Sequence, residues 1–483
     1  MKLIPIAFLL TVFLIPPRSE AAMPSGAFVP SAPQTPEYVT GAPIPNAPGV
    51  PTGKNFLPIY QAWEKKVFIE AYRRSGQHDS QVEAFLTDAS ICLHGGNEQE
   101  RTLLWTRGNI LRDSGINDPA VLFLSALVEK TAPLREILFR RAAAGFEKSA
   151  YSPFLRFIAL ANDAECLAER GADAPTVAAA DDRALEALRI TFKTEYFPGD
   201  ESLVLRWRLF TPTTDDLFRR QGVRMSAVFH EATNLPEWVR AYGEGRGYLA
   251  EAWKERRDVW ASDVTEAGWH GFEENLAKAR PLLTKSWELN PRDPGAATVM
   301  IYVATDDHGG KKDMRLWFDR AVAAEMDFYD AYQWFLWGLR PRWHGSHEEM
   351  LLLGDEFLRT GRFDTCVPFH YFKVVADIAS EEADPKEIYG RPEIATNLKL
   401  VVDSYLATPN SPVDVSFAHT AAAILDFKAG DLASAKDHMA AIQFKPATNI
   451  DPGLKDDLSN LMRSIAPPAT VLGNGATSAA LKH

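Results

Sequence analysis

Apolar positions recur every three to four residues along most of the chain, the spacing that lines one face of an α-helix. Tyr60, Trp63, Val67, Ile69 and Ala71 follow Pro58, a residue suited to the first helical position, and the run stops at Gly76. Asp118-Pro119, Ser152-Pro153 and Asp293-Pro294 each pair a capping side chain with a proline just ahead of an apolar run. One stretch departs from this period. In "SLVLRWRLF" (202–210), Leu203, Leu205, Trp207 and Leu209 alternate with Arg206 and Arg208, which is the period of a half-buried strand. A lone strand is not stable and no equally clear partner run exists, so this segment stays open between a local strand and a short helix. The pattern as a whole predicts an all-α protein with helices of about 10–20 residues and short turns.

Small residues add a longer period. Ala279 and Ser286 flank Leu283, and Pro291 ends the run, while Pro281 lies inside it and is expected to kink the helix. Phe318 and Ala321 fall 35 residues after Leu283 and Ser286, and Phe357 follows after another 39. The stretch 391–407 leaves room for one further unit, and Ala423, Gly430, Ala435, Met439 and Pro446 form the clearest one, with Gly430 turning between two helices. This order of small residue, large residue, small residue and proline resembles the tetratricopeptide repeat over about 245–447. The resemblance departs from the family at Ile442, where a small residue belongs, and every unit lacks the family's Trp–Leu–Gly–Tyr opening. It implies an irregular helix-pair solenoid, wound as a right-handed superhelix, with an extended concave face for a protein or peptide. The mid-region also resembles uncharacterised bacterial families of secreted helical proteins, which implies a similar fold and an envelope location and no known activity.

The division expected from these patterns is a signal peptide at 1–21, a proline-rich flexible linker at 22–54, a helical region at 55–244, the repeat region at 245–465 and a disordered tail at 466–483. Lys2 precedes the apolar run 3–15, and Ser19 and Ala21 provide small residues for cleavage after Ala21. Thirteen apolar residues are too few to span a bilayer comfortably, so export to a bacterial periplasm or the extracellular space is expected, with no membrane span after cleavage. An uncleaved anchor is the alternative. Eight prolines between Pro24 and Pro51 favour an extended linker.

Charge narrows the choice of partner. The chain of 483 residues carries a net charge of −12, which gains little from counterion release and disfavours nucleic acid. Cys92, Cys166 and Cys366 are widely spaced; one disulfide is open to them, three buried thiols fit better, and their spacing gives no zinc site. No nucleotide-binding motif is present, and no cofactor is expected.

The stretch "GLRPRWHGS" (338–346) concentrates candidate chemistry. His344 and His347 are three apart with Gly345-Ser346 between them, so they do not share a helix face as zinc-binding pairs do. Ser346 and Glu349 instead have the order of a capping box that starts the next helix, with Gly361 at its end. The stretch therefore reads as a joint between helices, with Trp343 filling the gap. Asp306, Asp307 and His308 lack an attached nucleophile and read as a solvated turn, with Asp313 capping the helix after it. Eight of the 12 tryptophans lie between Trp253 and Trp343. Core packing accounts for most of them, but tryptophan beside arginine is also the composition of binding hot spots. Trp334, Trp337, Arg340, Arg342 and Trp343 are the candidate binding residues, and no catalytic residue is assigned. The expected function is an exported, non-catalytic scaffold for a protein or peptide of the cell envelope. The alternative is a carbohydrate-active enzyme or glycan-binding protein on an α/α toroid, which would need two carboxylates about 5–10 Å apart across a cleft.

Overall fold

The structure is a computed structural model that describes residues 38–92, 98–209, 212–257, 263–306, 310–343, 345–384, 386–409, 411–448 and 450–465, with Ala32 and Val259 as isolated positions. The expected signal peptide, most of the linker before Tyr38 and the expected tail lie outside the described residues. Among the described residues there is no strand, and each helix packs chiefly on its neighbours in the chain, as in a helical solenoid. No helix there is long and apolar enough to cross a membrane.

Two compact units divide the chain between Met350 and Leu351. The first contains α1 (Gly53–Glu64), α2 (Ala71–Arg74), α3 (Ser80–Cys92), α4 (Glu98–Asp113), α5 (Pro119–Val128), α6 (Ala132–Phe146), α7 (Pro153–Glu169), α8 (Ala174–Thr194), α9 (Glu201–Leu209), α10 (Pro212–Glu231), α11 (Glu237–Arg256), α12 (Glu266–Leu289), α13 (Pro294–Asp306), α14 (Gly310–Ala324) and α15 (Tyr329–Gly338). The division falls inside α16 (His347–Arg359). The second unit continues through α17 (His370–Ala379), α18 (Lys386–Tyr389), α19 (Pro392–Ala407), α20 (Val415–Lys428), α21 (Leu432–Ala441) and α22 (Lys455–Ile465).

The cap-plus-proline starts form as the sequence implies. The Asp118 carboxylate accepts from the N–H groups of Ala120 and Val121, and Ser152 Oγ accepts from that of Phe154. Asp293 accepts from the Gly295 N–H at 2.8 Å. Each bond satisfies a donor that the first helical turn would otherwise leave exposed or unpaired. Pro58 differs from its expected place. The helix starts earlier, at Gly53, where Thr52 and Asn55 form a capping box, and Pro58 lies within α1. A π-helical stretch at Lys65–Glu70 joins α1 to α2.

The segment 202–210 resolves as a helix over Glu201–Leu209. Leu203, Val204, Leu205 and Leu209 are all buried there, so the packing covers more than one side of the helix and the alternation carried no strand information. Helix α12 continues through Pro281, where a kink was expected. Pro281 is exposed, as is Ala277, whose carbonyl loses its intrahelical donor to the proline and can bond water instead. Helix α11 runs through residue 245, where the sequence marked the start of the repeat region.

That helix is the most closely packed element of the first unit. Its sequence "YGEGRGY" presents glycines to both neighbours. A Cβ at Gly243 would lie 2.2 Å from the Phe229 ring, and one at Gly247 would lie 2.2 Å from Ser226 Oγ and 2.6 Å from the Gly222 carbonyl on α10. A Cβ at Gly245 would lie 2.9 Å from Leu283 on α12. The backbones therefore approach closely because side chains are missing. Ala279 and Leu283 are fully buried at this contact, and Ser286 Oγ donates to the Trp238 carbonyl at 2.8 Å.

Part of the proline-rich segment is held against the folded unit. The Arg315 guanidinium, itself buried, donates to the Ala42 carbonyl at 2.7 Å, while Asp319 accepts from the Ala42 N–H at 3.1 Å. Gly41 lies so near this pair that a Cβ there would overlap Arg315 Nε. The Met326 N–H donates to the Pro51 carbonyl at 2.8 Å, and Asp327 accepts from the Gly53 N–H at 2.8 Å. Tyr38 and Ile44 are buried. Prolines remove donors but leave their carbonyls available, and the held groups include carbonyls.

In the second unit, α20 and α21 form the hairpin expected around Gly430, whose φ of +85° supplies the left-handed turn. Ala423, Ala435, Met439 and Leu461 make a small core there. Asp431 caps α21 by accepting from the Ser434 N–H at 3.0 Å.

Candidate docking site

Four helices and one joint of the first unit bring together a cluster of aromatic rings. Trp253 lies on α11, Trp269 on α12, Tyr302 on α13, and Trp334 and Trp337 on α15. Trp253 and Tyr302 stack with centroids 4.9 Å apart and an interplanar angle of 10°. Tyr302 also meets Trp334 at 4.1 Å and Trp337 at 5.4 Å. Trp343, from the joint after α15, lies 4.4 Å from Trp337. All six rings are half-buried.

The joint is shaped by short-range backbone contacts. The Trp343 N–H donates to the Arg340 carbonyl at 2.9 Å, and a Cβ at Gly345 would lie 2.1 Å from the Leu339 carbonyl. Only glycine fits that approach. Ser346 then starts α16 as a cap, its Oγ accepting from the Glu349 N–H at 3.2 Å. The Glu349 carboxylate departs from the expected capping box: it is buried and pairs with Lys311 at 2.8 Å. Asp313 likewise pairs with Arg280 at 2.9 Å from within the first turn of α14, where a cap was expected. His344, Asp307 and His308 lie outside the described residues.

Arg256 lies against three of these rings. Its guanidinium lies 5.2 Å from the Trp253 ring, 5.3 Å from Trp269 and 6.0 Å from Trp343. The residue is only 7% exposed. Ring faces carry negative potential, so they offset part of the cost of burying the cation. Arg256 Nη1 donates to the carbonyls of Arg257 and Val259 at 3.2 and 3.3 Å. Its Nε, and the indole nitrogens of Trp253 and Trp343, are buried without an acceptor among the described residues.

Of the five residues expected to bind, Trp334, Trp337 and Trp343 thus meet in one cluster. Arg340 is half-buried in the joint and Arg342 is exposed. The sequence reading did not select Arg256, Trp253, Trp269 or Tyr302 as binding residues. A signal existed for two of them: Trp253 and Arg256 are three apart and so share a helix face.

Other polar clusters offer less. Between α4 and α6 a cleft of about 520 Å³ is lined by Asn109, Arg112, Leu134 and Arg141, among others. Arg112 is bonded to Asn109 and Arg141 to Asn117, so these guanidiniums are engaged. Glu165 and Asp216 form a carboxylate pair beside Arg220, which binds Glu165 at 2.8 Å and Asp181 at 2.9 Å. Burial, then the Glu165 charge, push Asp216 up to about 6. In the second unit, His419 and His438 meet nitrogen to nitrogen at 2.9 Å, and His438 faces Asp426 at 3.4 Å. Among the described residues no group of three or more His, Cys, Asp or Glu side chains could hold a metal ion. The cysteines are free thiols: Cys92 and Cys166 are buried and Cys366 is half-buried. Burial raises the Cys92 thiol and pushes Cys166 up to about 11.

Compared with protein-family models and with curated proteins, the chain matches none.

Proposed function

We propose that this protein is an exported helical-repeat scaffold that holds a protein or peptide of the cell envelope without catalysing a reaction. Its docking face is the cluster of Trp253, Trp269, Tyr302, Trp334, Trp337 and Trp343, with Arg256 against three of these rings. One observation carries this reading: six half-buried rings from four helices and a joint form one cluster, three of them against a buried arginine, and two of the indole donors have no acceptor among the described residues. Half-buried aromatic rings beside arginine supply contact area and orientation at little entropic cost, as in protein-binding hot spots. The neighbour-to-neighbour helix packing supplies the rigid frame that such a face requires.

The test is selection of peptides from a displayed library on the full chain, repeated on Trp337→Ala. Selected sequences should share a motif, and their binding to Trp337→Ala should fall about tenfold or more. A glycan array run in parallel tests the carbohydrate reading, which would place a sugar on the same rings. Glycan binding with no peptide motif would replace the scaffold reading.

A further inference from the structure

We infer that the docking face recognises a peptide carboxylate, presented next to an apolar side chain, with Arg256 as its anchor. This inference rests on the docking function proposed above and names the chemistry of the partner.

The argument starts from an electrostatic imbalance. Arg256 is more than nine-tenths buried, and no carboxylate among the described residues pairs with it. A buried charge is costly unless it is paired, and aromatic faces and two carbonyls compensate only in part. Arg256 Nε is buried without an acceptor among the described residues, and so are the indole nitrogens of Trp253 and Trp343, whose rings flank the same guanidinium. All three of these unpaired atoms are donors. A ligand that completes the site must therefore bring acceptors and negative charge.

The charge and shape of the site select among anions. A guanidinium carries one positive charge and presents its donors in a planar fork, which matches the two oxygens of a carboxylate. A phosphate dianion would remain half neutralised by a single arginine. The rings of Tyr302, Trp334 and Trp337 extend the face beyond the arginine and give an apolar neighbour of the carboxylate a surface to cover. A carboxylate with an adjoining apolar group is what an Asp, Glu or C-terminal residue beside a large side chain presents.

The experiment uses the full chain with its tryptophans labelled with ¹⁵N, the indole signals being assigned through Trp253→Phe and Trp343→Phe. The probes are a capped Phe-Glu dipeptide, its Phe-Gln counterpart and a linear β-linked glucose tetramer. Phe-Glu should shift both indole N–H signals and bind about tenfold or more tighter than Phe-Gln, the margin expected for a hydrogen bond to a charged group. Arg256→Lys keeps the charge but loses the fork, and it should bring Phe-Glu down to the affinity of Phe-Gln. Trp343→Phe removes one donor while keeping a ring, and it should weaken Phe-Glu more than Phe-Gln. Equal binding of the two dipeptides, unchanged by Arg256→Lys, overturns the carboxylate assignment and leaves the docking face standing. No response to either dipeptide, with the tetramer shifting the same signals, overturns both.

Discussion

His370 provides a sharp test of how burial acts in this molecule. It opens α17, is 3% exposed and meets the Phe357 ring with centroids 5.8 Å apart. Burial, helped by the Lys373 charge, drives the imidazole down to about 3 from an ordinary 6.5. The folded protein therefore holds His370 neutral at pH values where the unfolded chain would protonate it. Stability from this source is complete above about pH 6.5 and is lost as pH falls toward the folded value. By about pH 5 the loss is about 2 kcal/mol, and near pH 3 it reaches about 4 kcal/mol. Urea unfolding of the wild type and of His370→Gln, followed by hydrogen exchange at the α17 amides, separates this term from others. The substitution also alters packing, but that cost does not vary with pH. Between about pH 7.5 and pH 5 the wild type should lose about 2 kcal/mol more than the variant. Equal losses, or an imidazole proton signal from His370 that titrates near its ordinary value, would refute the reasoning.

Asp216 tests the opposite sign. Its carboxyl is raised to about 6, so its contribution is fully present below the unfolded value near 4 and is lost as pH rises through 6. Asp216→Asn should accordingly stabilise the protein by about 1–2 kcal/mol near pH 7.5 and have little effect near pH 4, as read by thermal melts at both pH values. Gly247→Ala should cost about 2 kcal/mol in urea unfolding, because the overlap with Ser226 and Gly222 exceeds the gain of about 1 kcal/mol in helix propensity. Trp343→Ala should cost about 1–3 kcal/mol, less than the 3–5 kcal/mol of a fully buried indole, since the ring is half exposed. Calorimetry reads that loss, and a Phe-Glu titration of the same variant reads the site.

The helical class and several helix starts were legible because they are local. Asp118, Ser152, Asp293 and Ser346 each bond a backbone donor within three residues, and sequence spacing specifies that reach. The period-two run at 203–209 was ambiguous because alternation implies a strand only where one face meets water. The joint 338–346 was recognisable from its proline, glycine and serine. The aromatic cluster was only half legible. Trp334, Trp337 and Trp343 lie close in sequence, whereas Trp253 and Arg256 reach them only through the stacking of α11 to α15. The glycines of α11 show the same limit. Their spacing was visible, but their meaning depends on Phe229, Ser226 and Leu283 lying opposite.

The held segment before α1 has a mechanical consequence. A pull on the chain ahead of Tyr38 reaches Arg315, Asp319 and Met326 through Ala42 and Pro51, so tension enters at α14 and just beyond it. Helices α1 to α13 lie between those anchor points along the chain and bear no load until these bonds peel away. A tethered molecule of this design would yield first by releasing a short extended segment, with its stacked helices still intact.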